Sequence, residues 1–297
     1  MHQHFTVVIL LCFFASSAIV ADDIIASGAT LQKVATGFQF TEGPAVDSKG
    51  NVYFTDQPND RILIWTVENE LKTFMKPSGR ANGLCFDDWD NLWVCADEQN
   101  QLWKINPEKN VSVVVKNFEG QLLNGPNDLW VTPEGGVYFS DPYYKRDYWT
   151  REQGKLDIQG VYFLTPNHKV IRVIDDLKQP NGIIGTPDGS RLYVTDIQAG
   201  KTYSYRIKRS GDLSEKQLFC EMGSDGMTLD EQGNLYLTNR SGVTIFNSHG
   251  EQIAQIPTGA GWTANVCFGG ADKKTLFVTA MDGLYTIKMN VKGAGSQ

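Results

Sequence analysis

Residues Glu42 to Asp56, EGPAVDSKGNVYFTD, read as a β-hairpin: a polar residue opens a short apolar strand, a Gly/Asp-rich turn follows, and a second apolar strand ends on aspartate. The pattern returns as NGLCFDDWDNLWVCAD from Asn82, NDLWVTPEGGVYFSD from Asn127, NGIIGTPDGSRLYVTD from Asn181, DGMTLDEQGNLYLTN from Asp225 and NVCFGGADKKTLFVTA from Asn265. The closing residues Asp56, Asp97, Asp141, Asp196, Asn239 and Ala280 give a period of about 41 to 55 residues, that of a propeller blade. Between hairpins lie two further strand-like runs, such as Arg61 to Trp65 with Leu71 to Phe74, and Lys201 to Ile207 with Lys216 to Cys220. No comparable stretch sustains an amphipathic helical period. Six copies of four strands predict an all-β chain folded as a six-bladed β-propeller with four-stranded blades; two sandwiches are the alternative with the same strands.

The last copy has its hairpin and a third strand, Leu284 to Met289, and then runs into a Gly/Ser tail. The N-terminal run Leu31 to Thr36, LQKVAT, precedes the first hairpin as an outer strand precedes every other one. It is expected to complete the last blade, because closing the ring this way leaves no unpaired sheet edge.

The chain has 297 residues, and its residues 5–20 read FTVVILLCFFASSAIV, too short an apolar run to span a bilayer comfortably. Small residues and Asp22-Asp23 follow, so residues 1–21 are read as a signal peptide and 22–297 as the propeller. Leu11, not a small residue, precedes Cys12, which argues against a lipid-modified anchor. A secreted or periplasmic monomer with no stable membrane association after cleavage is expected. The net charge is −7 and no Lys/Arg-rich stretch occurs, which removes electrostatic support for nucleic-acid binding. Cys85, Cys95, Cys220 and Cys267 fall in apolar runs without metal or disulfide spacing and are read as buried free thiols.

Aligned on their first strands, the six copies place Glu42, Asn82, Asn127, Asn181, Asp225 and Asn265 at one equivalent position. Each carries a side-chain oxygen, and the first strand of a blade lines the channel, so the six groups are expected to converge. Asn-Gly and Asp-Gly are also common turn pairs, and for Asn82 taken alone turn chemistry is the simpler reading. For the set it is not: a glutamate gains nothing from such a turn, and two carboxylates at the end of a narrow channel repel one another unless a cation lies between them. Oxygen ligands of net charge −2 suit a hard divalent ion, Ca²⁺ before Mg²⁺. His168 and His249 lack zinc-ligand spacing, and no G-x-S-x-G elbow is present.

The segments TEGP at Thr41 to Pro44, PND at Pro126 to Asp128, PNG at Pro180 to Gly182 and SDGM at Ser224 to Met227, in order and at blade spacing, resemble the SMP-30/gluconolactonase/luciferin-regenerating-enzyme superfamily over nearly the whole mature chain. The resemblance implies a six-bladed propeller that binds Ca²⁺ and hydrolyses lactones, with more distant relatives acting on organophosphates. It implies Glu42, Asn181 and Asp225 as metal ligands, Asn127 beside the metal contacting it or the substrate, and either Asp128 or Asp225 as general base. In sugar-lactone-hydrolysing members an arginine shortly before the Asn-Asp pair helps bind substrate, whereas here Leu123-Asn124-Gly125-Pro126 stands there. That departure leaves the metal ligands untouched and the identity of the lactone open.

An insertion from Pro142 to about Gly160, PYYKRDYWT and onward, widens the third repeat between its second and third strands. Strand alternation brings it out on the metal face, where it either forms a lid offering Arg146 to a polyhydroxy or anionic substrate or packs on its own blade. Trp262, just before the sixth ring position, is a further candidate for the pocket wall. The expected activity is Ca²⁺-dependent, gluconolactonase-like hydrolysis of a small-molecule lactone by metal-assisted attack of water. A phosphotriesterase-like hydrolase on the same metal site, or a non-catalytic binding propeller held together by Ca²⁺, is the alternative.

Overall fold

The computed structural model describes residues 21–295, beginning with a four-residue helix, Ala21–Ile24. The expected leader, apart from Ala21, lies outside the described residues. Among the described residues, strands form six four-stranded antiparallel sheets. Five are meanders of consecutive strands whose innermost members are Thr41–Val46, Ala81–Phe86, Leu129–Val131, Pro180–Gly185 and Met227–Leu229. The innermost strand of the sixth is Asn265–Gly269. Each inner strand packs on the next and the sixth returns to the first, which closes a six-bladed propeller and excludes the two-sandwich arrangement.

The sixth blade is completed from the other end of the chain. Gln32–Thr36 pairs with Gly283–Lys288, placing Gln32 opposite Thr286 and Thr36 opposite Gly283. The chain beyond the last strand is not a free tail: Gly293 bridges Asp230, the Ala294 N–H donates to the Leu229 carbonyl at 3.0 Å, and Val291 is buried. Backbone pairing therefore ties the C-terminal segment under the fifth blade, a contact that Gly/Ser composition did not reveal.

The inner strands Thr41–Val46, Ala81–Phe86 and Pro180–Gly185 are buried at every position, because each is covered on both faces by neighbouring blades. This is why, beyond the ring residue and its glycine, they read as apolar at consecutive positions rather than alternating. The core is the set of seams between blades: Phe54 and Val52 meet Cys267 and Phe277 between the first and sixth, and Tyr236 packs edge-on against Phe268 between the fifth and sixth. A fully buried side chain of this size contributes about 1.5–3 kcal/mol. All four described cysteines are buried free thiols.

Two recurring aspartates have structural explanations. Asp47, Asp87 and Asp230, at the first turn of their blades, each accept backbone N–H groups two and four residues on, the geometry of an Asx turn. The closing aspartates Asp56, Asp141 and Asp196 accept N–H groups of the segment leading into their own blade: Gln39 and Phe40, Asn124 and Gly125, Lys178 and Gln179. Each buried carboxylate thus fixes where its inner strand begins.

Candidate active site

The ring positions lie where the inner strands start. Pairing registers shift between Glu42 and Ala45, Ala81 and Leu84, and Pro180 and Ile183, so Glu42, Asn82 and Asn181 sit at irregularities that re-aim side chains. Asn127 and Asp225 lie two residues before their short inner strands and are held by backbone N–H bonds to the Ser140 and Thr238 carbonyls, 3.0 and 2.9 Å. The turn reading for Asn82 fails, since it lies within Ala81–Phe86. The glycine after it in the pattern serves another purpose. A Cβ on Gly43 would collide with the carbonyl of Asn82, and one on Gly182 with the carbonyl of Asp225, because adjacent inner strands touch at this point.

A cavity of about 360 Å³ opens at this mouth, lined among others by Glu42, Asn82, Asn127, Asp225, Arg146 and Trp262. Asn181 joins them through its side chain: Nδ2 donates to Asp225 Oδ1 at 2.8 Å and to the Tyr144 hydroxyl at 2.7 Å. The Trp262 indole N–H donates to Asp225 Oδ2 at 2.5 Å, so both oxygens of this carboxylate are oriented. Among the described residues, Glu42 Oε2 accepts the N–H of its neighbour Gly43, at 3.1 Å, and no other hydrogen bond.

Asn265 and Asp128 point elsewhere. They line a smaller space deeper in the channel, where Asn265 Nδ2 faces Asp128 Oδ2 at 3.4 Å and the Leu129 N–H donates to Asp128 Oδ1. The six oxygen-bearing side chains therefore do not all converge on one volume: Asn265 turns inward, its Oδ1 accepting the Val266 N–H. Asp128 lies below the mouth cavity rather than in its wall.

Burial dominates the electrostatics. It pushes the Glu42 carboxyl well above its ordinary range, and the Asp225 charge adds to the effect. Burial raises Asp225 to about 6 against the opposing bonds from Trp262 and Asn181, and Asp128 to about 7. A divalent cation fits this donor set on two observations. Two buried carboxylates face one space in which Arg146, already paired with Asp97, offsets their charge only in part, and the buried Asn181 Oδ1 has no hydrogen-bond partner among the described residues. No cluster of three or more His, Cys, Asp or Glu occurs among the described residues, so a site here depends on amide oxygens. Such a ligand set favours a hard ion.

The insertion does not merely pack on its own blade. Tyr144 and Arg146 reach the cavity, and Arg146 Nε donates to Asp97 of the second blade at 3.0 Å. Sequence reasoning missed Tyr144 as a partner of Asn181, and missed Gln57 and Gln198 in the cavity wall. A signal existed: the glutamines lie one and two residues after a closing aspartate, Gln57 after Asp56 and Gln198 after Asp196, where the chain emerges on the mouth face.

The family model for the SMP-30/gluconolactonase/LRE-like region matches residues 40–282. The chain belongs to the SMP-30/gluconolactonase/LRE-like family. Among its relatives in this family, the gluconolactonase of Zymomonas mobilis is 28% identical over 92% of this chain and 85% of its own. A crystal structure provisionally described as a gluconolactonase superposes with a TM-score of 0.87 at 29% identity, covering 94% of this chain and 99% of that one. Regucalcin of Agrobacterium tumefaciens, described as a calcium-binding protein, shares the fold with a TM-score of 0.71 at 18% identity, over 89% of this chain and 94% of its own.

Proposed function

We propose that this chain is a divalent-cation-dependent lactone hydrolase, with Ca²⁺ the ion and a sugar lactone the substrate, acting outside the cytoplasm. The observation that carries the reading is the buried pair Glu42 and Asp225 in the wall of the mouth cavity, with Asn181 bonded to Asp225 through Nδ2 and its buried Oδ1 without a partner among the described residues. Glu42, Asn181, Asp225 and Asn127 would hold the cation. When bound, it supplies positive charge toward the lactone carbonyl, favouring the charge that develops on that oxygen. The gluconolactonase relatives support the choice of substrate class.

The chain's own groups account for the rest. Asp225, with Oδ1 and Oδ2 oriented by Asn181 and Trp262, takes the proton of the attacking water as its oxygen bonds to the carbonyl carbon. The ring C–O bond then breaks, and the departing alkoxide takes up a proton to give the open hydroxy acid. Arg146 and the amides of Gln57 and Gln198 line the cavity as donors for ring hydroxyls, a role for which the chain has no arginine before Asn127. Asp128, one level down, orients Asn265 rather than reaching the mouth.

The test is hydrolysis of five- and six-membered sugar lactones by metal-stripped protein, with and without Ca²⁺, followed by proton release. Turnover that returns with Ca²⁺, falls at least about 100-fold in Asp225→Asn and largely survives in Asp128→Asn supports the assignment. Failure to hydrolyse any lactone, with Ca²⁺ still raising the melting temperature, would instead leave a cation-stabilised binding propeller.

A further inference from the structure

Asp97 breaks the rule that its counterparts follow. Asp141 and Asp196 give both carboxylate oxygens to the backbone leading into their own blades, and Asp56 gives Oδ1 to that backbone while Oδ2 pairs with Arg61 of its own blade. In the second blade that task has passed to Asp60, whose Oδ1 accepts the N–H groups of Ser78 at 2.9 Å and Arg80 at 2.7 Å. Asp97, equally buried, is thereby released, and its Oδ2 receives three side chains: Gln57 Nε2 at 3.0 Å, Arg146 Nε at 3.0 Å and the Tyr148 hydroxyl at 2.5 Å.

Two of these partners belong to the insertion and the third to the cavity wall. Neighbouring contacts reinforce the docking. The Trp149 indole N–H donates to the Glu98 carbonyl at 3.1 Å, the Arg80 guanidinium lies 4.7 Å from the centre of the Tyr148 ring, and Arg151 stacks 3.7 Å over Trp149. A buried carboxylate that accepts charge-assisted bonds from one flexible segment orients it far more than surface contacts do. With Nε held by Asp97, the Arg146 side chain cannot swing away from the cavity without leaving a buried charge unpaired.

We propose that Asp97 is the positioning residue of this site: by gripping Arg146 and Tyr148 it sets the insertion across the mouth and aims Arg146 at bound substrate. The consequence for turnover rests on the lactonase reading; the consequence for the loop does not. For turnover, Asp97→Asn raises KM about tenfold with kcat within about twofold, as does Arg146→Ala, and the double variant is no worse than Arg146→Ala alone. A merely structural aspartate would add its effect to that of Arg146→Ala. For the loop, brief trypsin treatment followed by mass spectrometry reads cleavage at Lys145, Arg146, Arg151 and Lys155. Cleavage is expected to be at least about tenfold faster in Asp97→Asn than in the parent or in Asp56→Asn, which makes the equivalent change on a blade that, among the described residues, shares no hydrogen bond with the insertion. Unchanged cleavage in Asp97→Asn, or a KM effect that persists undiminished in the Arg146→Ala background, overturns the proposal. If the parent protein turns over no lactone, the lactonase reading falls by itself and the cleavage comparison alone decides the role of Asp97.

Discussion

Glu42 is a carboxylate with 4% of its surface exposed, and among the described residues its side chain accepts a single N–H. Without a cation it and Asp225 oppose folding whenever both are ionised. The folded-state pKa values of both are raised, so the native state binds more protons than the unfolded chain near neutrality. The contribution of this pair to the stability of the metal-free protein is therefore greatest below the ordinary carboxylate pKa of about 4 and is lost as pH rises through about 6, where Asp225 titrates. It follows that Glu42→Gln raises the metal-free melting temperature at pH 7.5, by about 5 °C, while abolishing the rise that Ca²⁺ produces in the parent. A calorimetric scan in which Glu42→Gln melts below the metal-free parent would show that the pair is not repulsive. Trp262→Phe tests the other half of the arrangement: losing the donor to Asp225 Oδ2 lowers kcat or Ca²⁺ affinity about 10- to 100-fold with little change in melting temperature.

The inner strand is an element whose composition misleads if read locally. Pro180–Gly185 carries its ring residue and its glycine side by side, as a turn would, yet Gly182 is required because the backbone of Asp225 passes against it from the next blade. The constraint comes from a residue more than 40 positions away, so no local pattern could express it. Gly182→Ala should force the fourth and fifth inner strands apart. Its melting temperature is expected to fall by about 10 °C, and lactone turnover with it as Asp225 is displaced. Thermal unfolding at the parent's temperature would mean that the strands can part without penalty. The insertion makes the same point for a loop. Its length and its face were legible in the third repeat, but its docking on Asp97 was not, because Asp97 looks like every other closing aspartate until Asp60 is seen to have taken over its usual bonds.

For the whole ring, closure is the mechanical question. Gln32–Thr36 covers the edge of Gly283–Lys288, and Lys33 and Thr36 add bonds to Asp282 at 2.8 and 3.0 Å. A chain beginning after Thr36 would expose that edge. Such a truncation is expected to melt at least about 10 °C lower and to form concentration-dependent oligomers by size-exclusion chromatography. A monomer of unchanged stability would show that the inter-blade seams alone hold the ring.

Repetition let the chain announce its architecture. A hairpin copied six times at blade spacing, with an orphan strand at one end and a missing strand at the other, admits few closed arrangements, and the oxygen-bearing residue at the head of each copy marks the channel mouth. These features are periodic, and strand periodicity survives whatever surrounds it. Direction is not periodic. Whether a ring side chain faces the mouth, as those of Glu42 and Asp225 do, or turns into the channel, as that of Asn265 does, depends on bulges and on contacts between strands distant in sequence. So does the choice of one closing aspartate among several to hold the loop over the cavity. Those decisions arise only where blades meet, because a side chain's orientation and ionisation follow from the groups packed around it.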